Sequence, residues 1–411
     1  MSEWVSSEQY RPAGLGDDMN KLESVLHGAV DSGRVPFLIG AATYPGQLQW
    51  TGCATLSSLP EVSVSSVLRV ASMSKAVGVT AALILEERGL LDWTTRVEDV
   101  VPSFSELGVI ERVSGGGFRT RATRTKATLK QLAMHTCGLG YDLWSEELAL
   151  YHREHAIPPV YSGKFAALQS PLLEEPGERW RYGLGIDWLG LVIEAISGET
   201  IDQFCRKEIF EPLGMESTGF TLSNAMTERL VPVFVRDEEG LFQVAPFNFD
   251  PPGNPEFFGL GYGLYSTASD YLRFLQMWLN EGILNGARIL ESRTIRRSLL
   301  KDSALPPVGV ERSVMPAVVG DLNLLPGAVQ SQALPFMRID CDLPHRRREG
   351  SCFWAGLFNT HFWFDPKSGI AGILMTQLVP FLDPTFMEVY SEFEQAVYLD
   401  QAVPLPVAQP S

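Results

Sequence analysis

A serine and a lysine three residues apart are the first candidates for chemistry in this sequence. Ser72 and Lys75 come directly before residues 76–88, which are good helix formers with apolar residues at helical spacing. On a helix both side chains would project from one face, so the hydroxyl can meet the amine. A lysine with a lowered pKa can take the serine proton and activate the serine as a nucleophile. Alternatively, Ser72 only caps the helix and Lys75 is solvated.

Tyr182 is the next candidate, because it lies in a glycine-rich turn just before an apolar helical pattern. We expect the phenol of a tyrosine in such a turn to be accessible rather than buried. Beside a lysine ammonium its pKa is expected to fall, and the phenolate could take the Ser72 proton and return it to a leaving group. The alternative is an ordinary tyrosine at an interface.

Other polar residues give weaker signals. His135 and Cys137 lie two apart on a predicted loop and would not face each other as base and nucleophile. His152 and His155 have helical spacing but no third ligand, so we expect no metal and no cofactor. Asp187, at the start of the helix after Tyr182, is interpreted as a capping or turn residue.

Composition limits the function classes. The chain has 411 residues, 45% of them hydrophobic, a formal net charge of −16 and a pI near 4.9. Nucleic-acid and anionic-membrane binding both need basic surface, so neither is expected. The N-terminus carries no secretory signal pattern and no stretch has the apolar length of a membrane span. Five scattered cysteines fit reduced thiols, which predicts a cytoplasmic protein.

Helical and strand patterns are arranged so that the two ends of the chain share one structural unit. We predict an α/β (α+β) fold with an antiparallel sheet flanked by terminal helices. The main predicted elements are a helix at 17–32, strands at 37–43, 47–54, 360–364 and 370–378, helices at 128–134, 270–280 and 386–399, and a largely helical section at 146–220. Residues 17–100 and 250–401 would form the α/β domain and 101–249 a mainly helical insertion, with the active site between them.

Taken together and in order, these motifs resemble the serine β-lactamase and penicillin-recognising superfamily. The residues that carry the likeness are Ser72-x-x-Lys75, Tyr182 and the triplet at 354–356, with support from residues 135–139 and 263–270. The likeness runs from about residue 20 to 400. Within the superfamily the sequence is most similar to class C-like (family VIII) carboxylesterases and to transesterases of the lovastatin acyltransferase type.

The resemblance implies a β-lactamase/transpeptidase-like fold and a role for each motif residue. Ser72 would be acylated, Lys75 would be hydrogen-bonded to it, and Tyr182 would act first as base and then as acid. The oxyanion hole would consist of the backbone N–H groups of Ser72 and Leu357.

Two departures from the β-lactamase pattern bear on substrate choice. Leu184 stands where those enzymes carry an asparagine that holds the antibiotic's amide, and Trp354 stands where they carry a lysine that meets its carboxylate. Both changes favour an uncharged, apolar acyl group. The residues that we expect to line the substrate pocket are Tyr141, Trp144, Leu184, Phe258, Trp354, Ala355 and Gly356.

We therefore predict a serine hydrolase or acyltransferase. It would form an acyl-enzyme from a small hydrophobic ester or thioester and pass the acyl group to water or to an alcohol, such as a secondary metabolite. An acyl-carrier protein is a further candidate partner, and the charge run at 346–348 could touch an anionic carrier. The alternatives are a β-lactamase or D-amino-acid peptidase, and a non-catalytic binding module on the same fold.

Overall fold

A seven-stranded antiparallel sheet organises the computed structural model, which describes residues 19–46, 49–251 and 253–400. Its strand order is β11-β12-β13-β14-β15-β1-β2, so strands from both ends of the chain lie side by side. The sheet strands are β1 Phe37–Thr43, β2 Trp50–Thr55, β11 Gln330–Gln332, β12 Met337–Ile339, β13 Cys352–Gly356, β14 Thr360–Asp365 and β15 Ile370–Met375. The eight other strands form pairs: β3 Leu68–Arg69 with β8 Tyr265–Ser266, β4 Val109–Arg112 with β5 Phe118–Arg121, β6 Phe234–Arg236 with β7 Phe242–Val244, and β9 Ile283–Leu284 with β10 Ala287–Arg288.

Helices occupy the ends and the middle of the chain. They are α1 Met19–Asp31, α2 Ser74–Glu87, α3 Val97–Val100, α4 Leu129–Ala133, α5 Glu146–Glu154, α6 Gly185–Ser197, α7 Ile201–Cys205, α8 Glu211–Leu213, α9 Asn224–Thr227, α10 Ala268–Leu279, α11 Ser292–Ser298 and α12 Pro384–Asp400. Short 3-10 turns and one π-helical turn, Arg206–Phe210, lie between them. Among the helices that the structure describes, none is both long and apolar enough to cross a membrane.

Helices cover both faces of the sheet, as neighbouring residues of β14 show. Side chains alternate along a strand; Phe362 meets Tyr271 of α10, with ring centroids 5.2 Å apart, whereas Trp363 meets Tyr390 of α12 at 5.7 Å. Helix α1 packs beside α12 on the sheet. All six residues of β14 are buried. This explains why the strand lacks an apolar–polar alternation.

The predicted fold class is confirmed, and most elements lie within a few residues of their predicted bounds. The predicted helix start at residues 17–18 and strand start at residues 47–48 lie outside the described residues. Helix α10 begins earlier than predicted, because Thr267 caps it by accepting a hydrogen bond from the Asp270 N–H, at 3.1 Å, in place of the predicted cap Ser269. Segment 101–249 holds two β-hairpins besides its helices, and its boundaries as an insertion stay a prediction.

The arginines at 346–348 do not form a free basic patch. Arg347 is fully buried and its Nε donates to Glu394 Oε1 at 2.7 Å, while Arg346 Nε donates to Glu394 Oε2 at 2.8 Å. Glu394 is also fully buried, and its one carboxylate is shared by both guanidinium groups. Arg348 is the exposed arginine of this run, and its contact with an anionic carrier stays a prediction.

Replacing Glu394 with alanine should lower the free energy of unfolding by about 3–5 kcal/mol, because the Arg347 guanidinium would stay buried without its counter-charge. Chemical denaturation followed by circular dichroism would measure the change. Glu392, also on α12, pairs with Arg34 at 2.9 Å but its side chain is 46% exposed. Glu392→Ala should cost less than about 1 kcal/mol, and equal losses for the two variants would contradict the prediction.

Candidate active site

Ser72 lies in a tight turn in front of α2 rather than at its cap. It is the middle residue of a one-turn 3-10 helix, Ala71–Met73. Ala71 has a φ of +44°, a left-handed conformation that costs a non-glycine residue energy and that surrounding contacts must hold. Ser74 supplies two such contacts: its Oγ donates to the Ala71 carbonyl at 2.6 Å and accepts from the Leu264 N–H at 3.0 Å. Ser74 is thus engaged in holding the turn.

Strand β13 passes very close to this turn. A Cβ on Gly356 would lie 2.2 Å from the Val70 carbonyl oxygen and 2.4 Å from Thr360 Oγ1. Only glycine permits that approach without a shift of the backbone. Gly356 therefore brings the end of β13, and Leu357 after it, next to Ser72.

Two side chains contact the Ser72 hydroxyl, and one of them, Lys75, has two further partners. Tyr182 Oη donates to Ser72 Oγ at 2.6 Å, and Lys75 Nζ lies 3.2 Å from the same oxygen. Lys75 Nζ also reaches Tyr141 Oη at 3.1 Å and donates to the Gly261 carbonyl at 2.6 Å. The predicted nucleophile is thus in contact with both predicted proton carriers, and Tyr141 proves to be a partner of Lys75 as well as a pocket residue.

Burial governs the protonation of these groups. Lys75 is 2% exposed, and burial lowers its pKa although the nearby Asp187 carboxylate opposes the shift. Burial also raises the pKa of Tyr182 above its usual value, more than its hydrogen bond to Ser72 lowers it. The expected fall in the pKa of Tyr182 is therefore wrong. Burial thus favours the neutral form of both side chains, the protonated phenol of Tyr182 and the free amine of Lys75.

Neighbouring groups are held neutral. Burial, with the charge of Lys75, lowers the pKa of His135 to about 3, and burial raises the pKa of the Cys137 thiol to about 11. The His135 ring lies 5.0 Å from that of Tyr182, so it forms an uncharged wall of the site. Neither residue has the ionisation state that a thiolate–imidazolium pair would need.

The two backbone amides predicted for the oxyanion hole both belong to residues of the cavity wall. Ser72 and Leu357 line the same cavity. Neither amide donates any of the backbone hydrogen bonds that lie outside the helices and strands of residues 19–46, 49–251 and 253–400. Two such N–H groups are what an oxyanion needs, and their role stays a prediction.

A cavity of about 430 Å³ opens onto Ser72 and Tyr182. Tyr141, Trp144, Trp354 and Ala355 line it as predicted, together with aromatic residues that the sequence reading did not place there, namely Phe247, Phe249, Tyr262, Tyr265, Phe358 and Phe381. Its charged residues are Arg69, Asp142 and Asp250; Arg69 Nε donates to Asp250 Oδ1 at 2.6 Å, so that pair is neutral overall. Apart from this pair and Asp142, the side chains that line the cavity are uncharged.

Three of the residues expected to line the pocket do not line this cavity. Leu184 is 3% exposed and its carbonyl accepts the first amides of α6, so its side chain belongs to the core. Phe258 packs against Phe220, with ring centroids 6.3 Å apart. Gly356 acts through close backbone approach, as described above. Residue type and nearness to a motif did not reveal which way the side chains of Leu184 and Phe258 point.

A second serine–histidine–aspartate grouping lies nearby. His152 Nε2 is 2.8 Å from Ser170 Oγ, and its Nδ1 is 3.6 Å from Asp142 Oδ2. Ser170 is fully buried, so no substrate carbonyl can reach its hydroxyl. The grouping is structural, and it gives the His152 side chain, for which the sequence predicted no metal, partners on both ring nitrogens. Within the described part of the chain, no cluster of three or more His, Cys, Asp or Glu side chains could hold a metal ion.

Comparison with known proteins defines the class. The profile of the Beta-lactamase family matches residues 22–395, and the chain belongs to that family. Monacolin J acid methylbutanoyltransferase of Aspergillus terreus is 28% identical, over 94% of this chain and 97% of that protein. Lovastatin esterase of Penicillium rubens is 28% identical, over 64% of this chain and 69% of that one. A mutant of the A. terreus simvastatin synthase superposes with a TM-score of 0.81 at 26% identity, covering 96% of this chain and all of that one. The predicted family and the predicted class, a serine acyltransferase or esterase, are confirmed.

Proposed function

We propose that this protein is an acyltransferase that carries an apolar acyl group on Ser72 and delivers it to an alcohol. The observation that carries the proposal is the contact of one serine hydroxyl with both a buried lysine and a protonated tyrosine beside an apolar cavity. The relatives support transfer to an alcohol or to water, since their names include a methylbutanoyltransferase and an esterase.

Acylation begins at the buried lysine. In its neutral form Lys75 accepts the Ser72 proton while Ser72 Oγ attacks the carbonyl carbon of the donor. The carbonyl oxygen becomes an oxyanion, which the amides of Ser72 and Leu357 are placed to receive. The new ammonium of Lys75 has the Gly261 carbonyl, 2.6 Å away, and the Tyr141 hydroxyl, 3.1 Å away, as acceptors.

Tyr182 completes the proton transfer. Its phenol, 2.6 Å from Ser72 Oγ, donates a proton to the departing oxygen or sulfur as the tetrahedral intermediate collapses. The proton on Lys75 then restores the phenol, which leaves an acyl-serine ester and a neutral lysine. An incoming alcohol reverses these steps: its proton passes to Lys75 by way of Tyr182, and Lys75 finally returns a proton to Ser72.

The donor that fits this site is a small ester or thioester without charge on its acyl part. Trp354, 6% exposed at the cavity wall, supplies no cation for a substrate carboxylate. A thioester donor can come as a free small molecule or on an acyl-carrier protein. The free form is the simpler probe because it needs no protein contact.

Incubating the protein with an N-acetylcysteamine thioester of 2-methylbutyrate, with and without an apolar secondary alcohol, tests the proposal. We expect intact-mass spectrometry to show an acyl adduct on Ser72 and the alcohol to yield an ester product. An adduct that is lost only to water, at a rate independent of the alcohol, would favour the esterase alternative. Rapid nitrocefin turnover without thioester acylation would favour a β-lactamase.

A further inference from the structure

Asp187, in the first turn of α6, lies behind the proposed catalytic lysine and has no direct hydrogen bond to it. Its Oδ1 accepts the Gly261 N–H at 2.8 Å, and the carbonyl of the same glycine accepts from Lys75 Nζ at 2.6 Å. Gly261 thus links the carboxylate of Asp187 to the amine of Lys75 through its own N–H and carbonyl groups. Asp187 is 1% exposed, and its Oδ2 has no hydrogen-bond partner among the described residues.

The Asp187 carboxylate packs directly against Gly261. A Cβ placed on it would lie 2.4 Å from Asp187 Oδ2, 2.9 Å from Cγ and 3.0 Å from Oδ1. The three nearest atoms all belong to Asp187, and Gly261 is not among the residues with positive φ. The requirement for glycine here therefore comes from the packed carboxylate and not from an unusual backbone conformation.

A buried carboxylate that is only partly hydrogen-bonded destabilises a fold unless something compensates for it. The compensating charge here is the ammonium form of Lys75, since the two groups interact electrostatically. That interaction is strongest after Lys75 has taken the Ser72 proton. A residue that only capped α6 would need neither burial next to Gly261 nor a cation.

We propose that Asp187 is a positioning residue that, through Gly261, holds Lys75 against Ser72 and stabilises the lysine in its protonated form during acylation. This inference rests on the proposed acyl-enzyme chemistry. The other titratable groups that face this pair are His135, Tyr141, Tyr182 and Tyr262. The imidazole is neutral and the three phenols stay protonated, so Asp187 is the group among these that can counter the lysine charge.

Asp187→Asn tests the proposal, because the amide oxygen can still accept from Gly261 while the charge is lost. The enzyme is active with neutral Lys75, so kcat/KM rises with pH through the pKa of Lys75. Without the carboxylate the pKa of Lys75 falls further. The rise of kcat/KM on the acid side of the pH profile should therefore move to lower pH by about one unit or more. The plateau of kcat should fall about 10-fold to 100-fold, with KM within about two-fold of wild type.

Asp270→Asn is the matched control, because Asp270 is also a buried carboxylate that accepts a backbone N–H, from Ser217 at 2.7 Å. For Asp270→Asn, the rise of kcat/KM on the acid side of the pH profile should occur at the same pH as in wild type. If Asp187→Asn does not fold, Gly261→Ala keeps the charge and displaces it, and a comparable fall in kcat is expected. The proposal is overturned if Asp187→Asn has the wild-type pH profile of kcat/KM and the wild-type plateau of kcat. A fully active Gly261→Ala enzyme overturns it as well. Absence of turnover by wild type would instead refute the proposed function.

Discussion

Ser72→Ala is expected to lower kcat/KM for the 2-methylbutyryl thioester by about 10⁴-fold or more, because no covalent acyl-enzyme can then form. Intact-mass spectrometry should find no adduct on the variant at any time. The structure also predicts little change in stability. Ser72 makes no hydrogen bond that holds the turn, since Ser74 supplies those contacts to Ala71 and Leu264.

Ser170→Ala is the matched control, because Ser170 Oγ lies 2.8 Å from His152 and thus also has a possible base as its neighbour. Its hydroxyl is fully buried, so the variant should keep its acyl adduct and most of its activity. An adduct that persists in Ser72→Ala and disappears in Ser170→Ala would reverse the assignment of the nucleophile. Loss in both variants together with a lowered melting temperature would point to misfolding, which circular dichroism would detect.

Lys75→Met should lower the rate of acylation by about 10²- to 10⁴-fold, the usual range for loss of a general base. Methionine is similar in length and apolar, so it can fill the buried site that Lys75 occupies. The loss should be similar for alkyl esters and for thioesters, because removal of the Ser72 proton comes before departure of either group. Stopped-flow measurement of adduct formation would isolate this step.

Tyr182→Phe supplies the contrast, because it removes only the proton donor to the leaving group. A thiolate or p-nitrophenolate departs readily without a proton, whereas an alkoxide does not. The variant should therefore retain far more activity on p-nitrophenyl butyrate than on an alkyl butyrate. Equal losses on the two substrates would show that Tyr182 acts on Ser72 itself, as the base that the family resemblance implies.

The sequence by itself determined the local features. Helical spacing set Ser72 and Lys75 on neighbouring positions, and alternating or continuous apolar runs marked the strands and helices closely enough to predict the fold class. The order of Ser72, Lys75, Tyr182 and residues 354–356 was enough to place the chain in its family. Each of these signals depends on residues close together in sequence or on the order of motifs.

Only the tertiary structure decided the contacts between residues that are far apart in the sequence. Tyr182 lies 110 residues from Ser72, and Gly261 lies 186 residues from Lys75, yet both are within hydrogen-bonding distance. No local pattern predicts which distant groups will share a buried site. The sequence therefore suggests a capping or turn role for Asp187, and it assigns Leu184 and Phe258 to a pocket that they do not line.

Burial also decided the direction of the proton transfers. From sequence, a lysine beside Tyr182 was expected to lower the pKa of the phenol. In the structure the removal of water raises the pKa of Tyr182 and lowers that of Lys75, because burial disfavours the charged form of each. The residue types thus set which groups could exchange protons, whereas their common burial supports the proposal that Lys75 is the base and Tyr182 the acid.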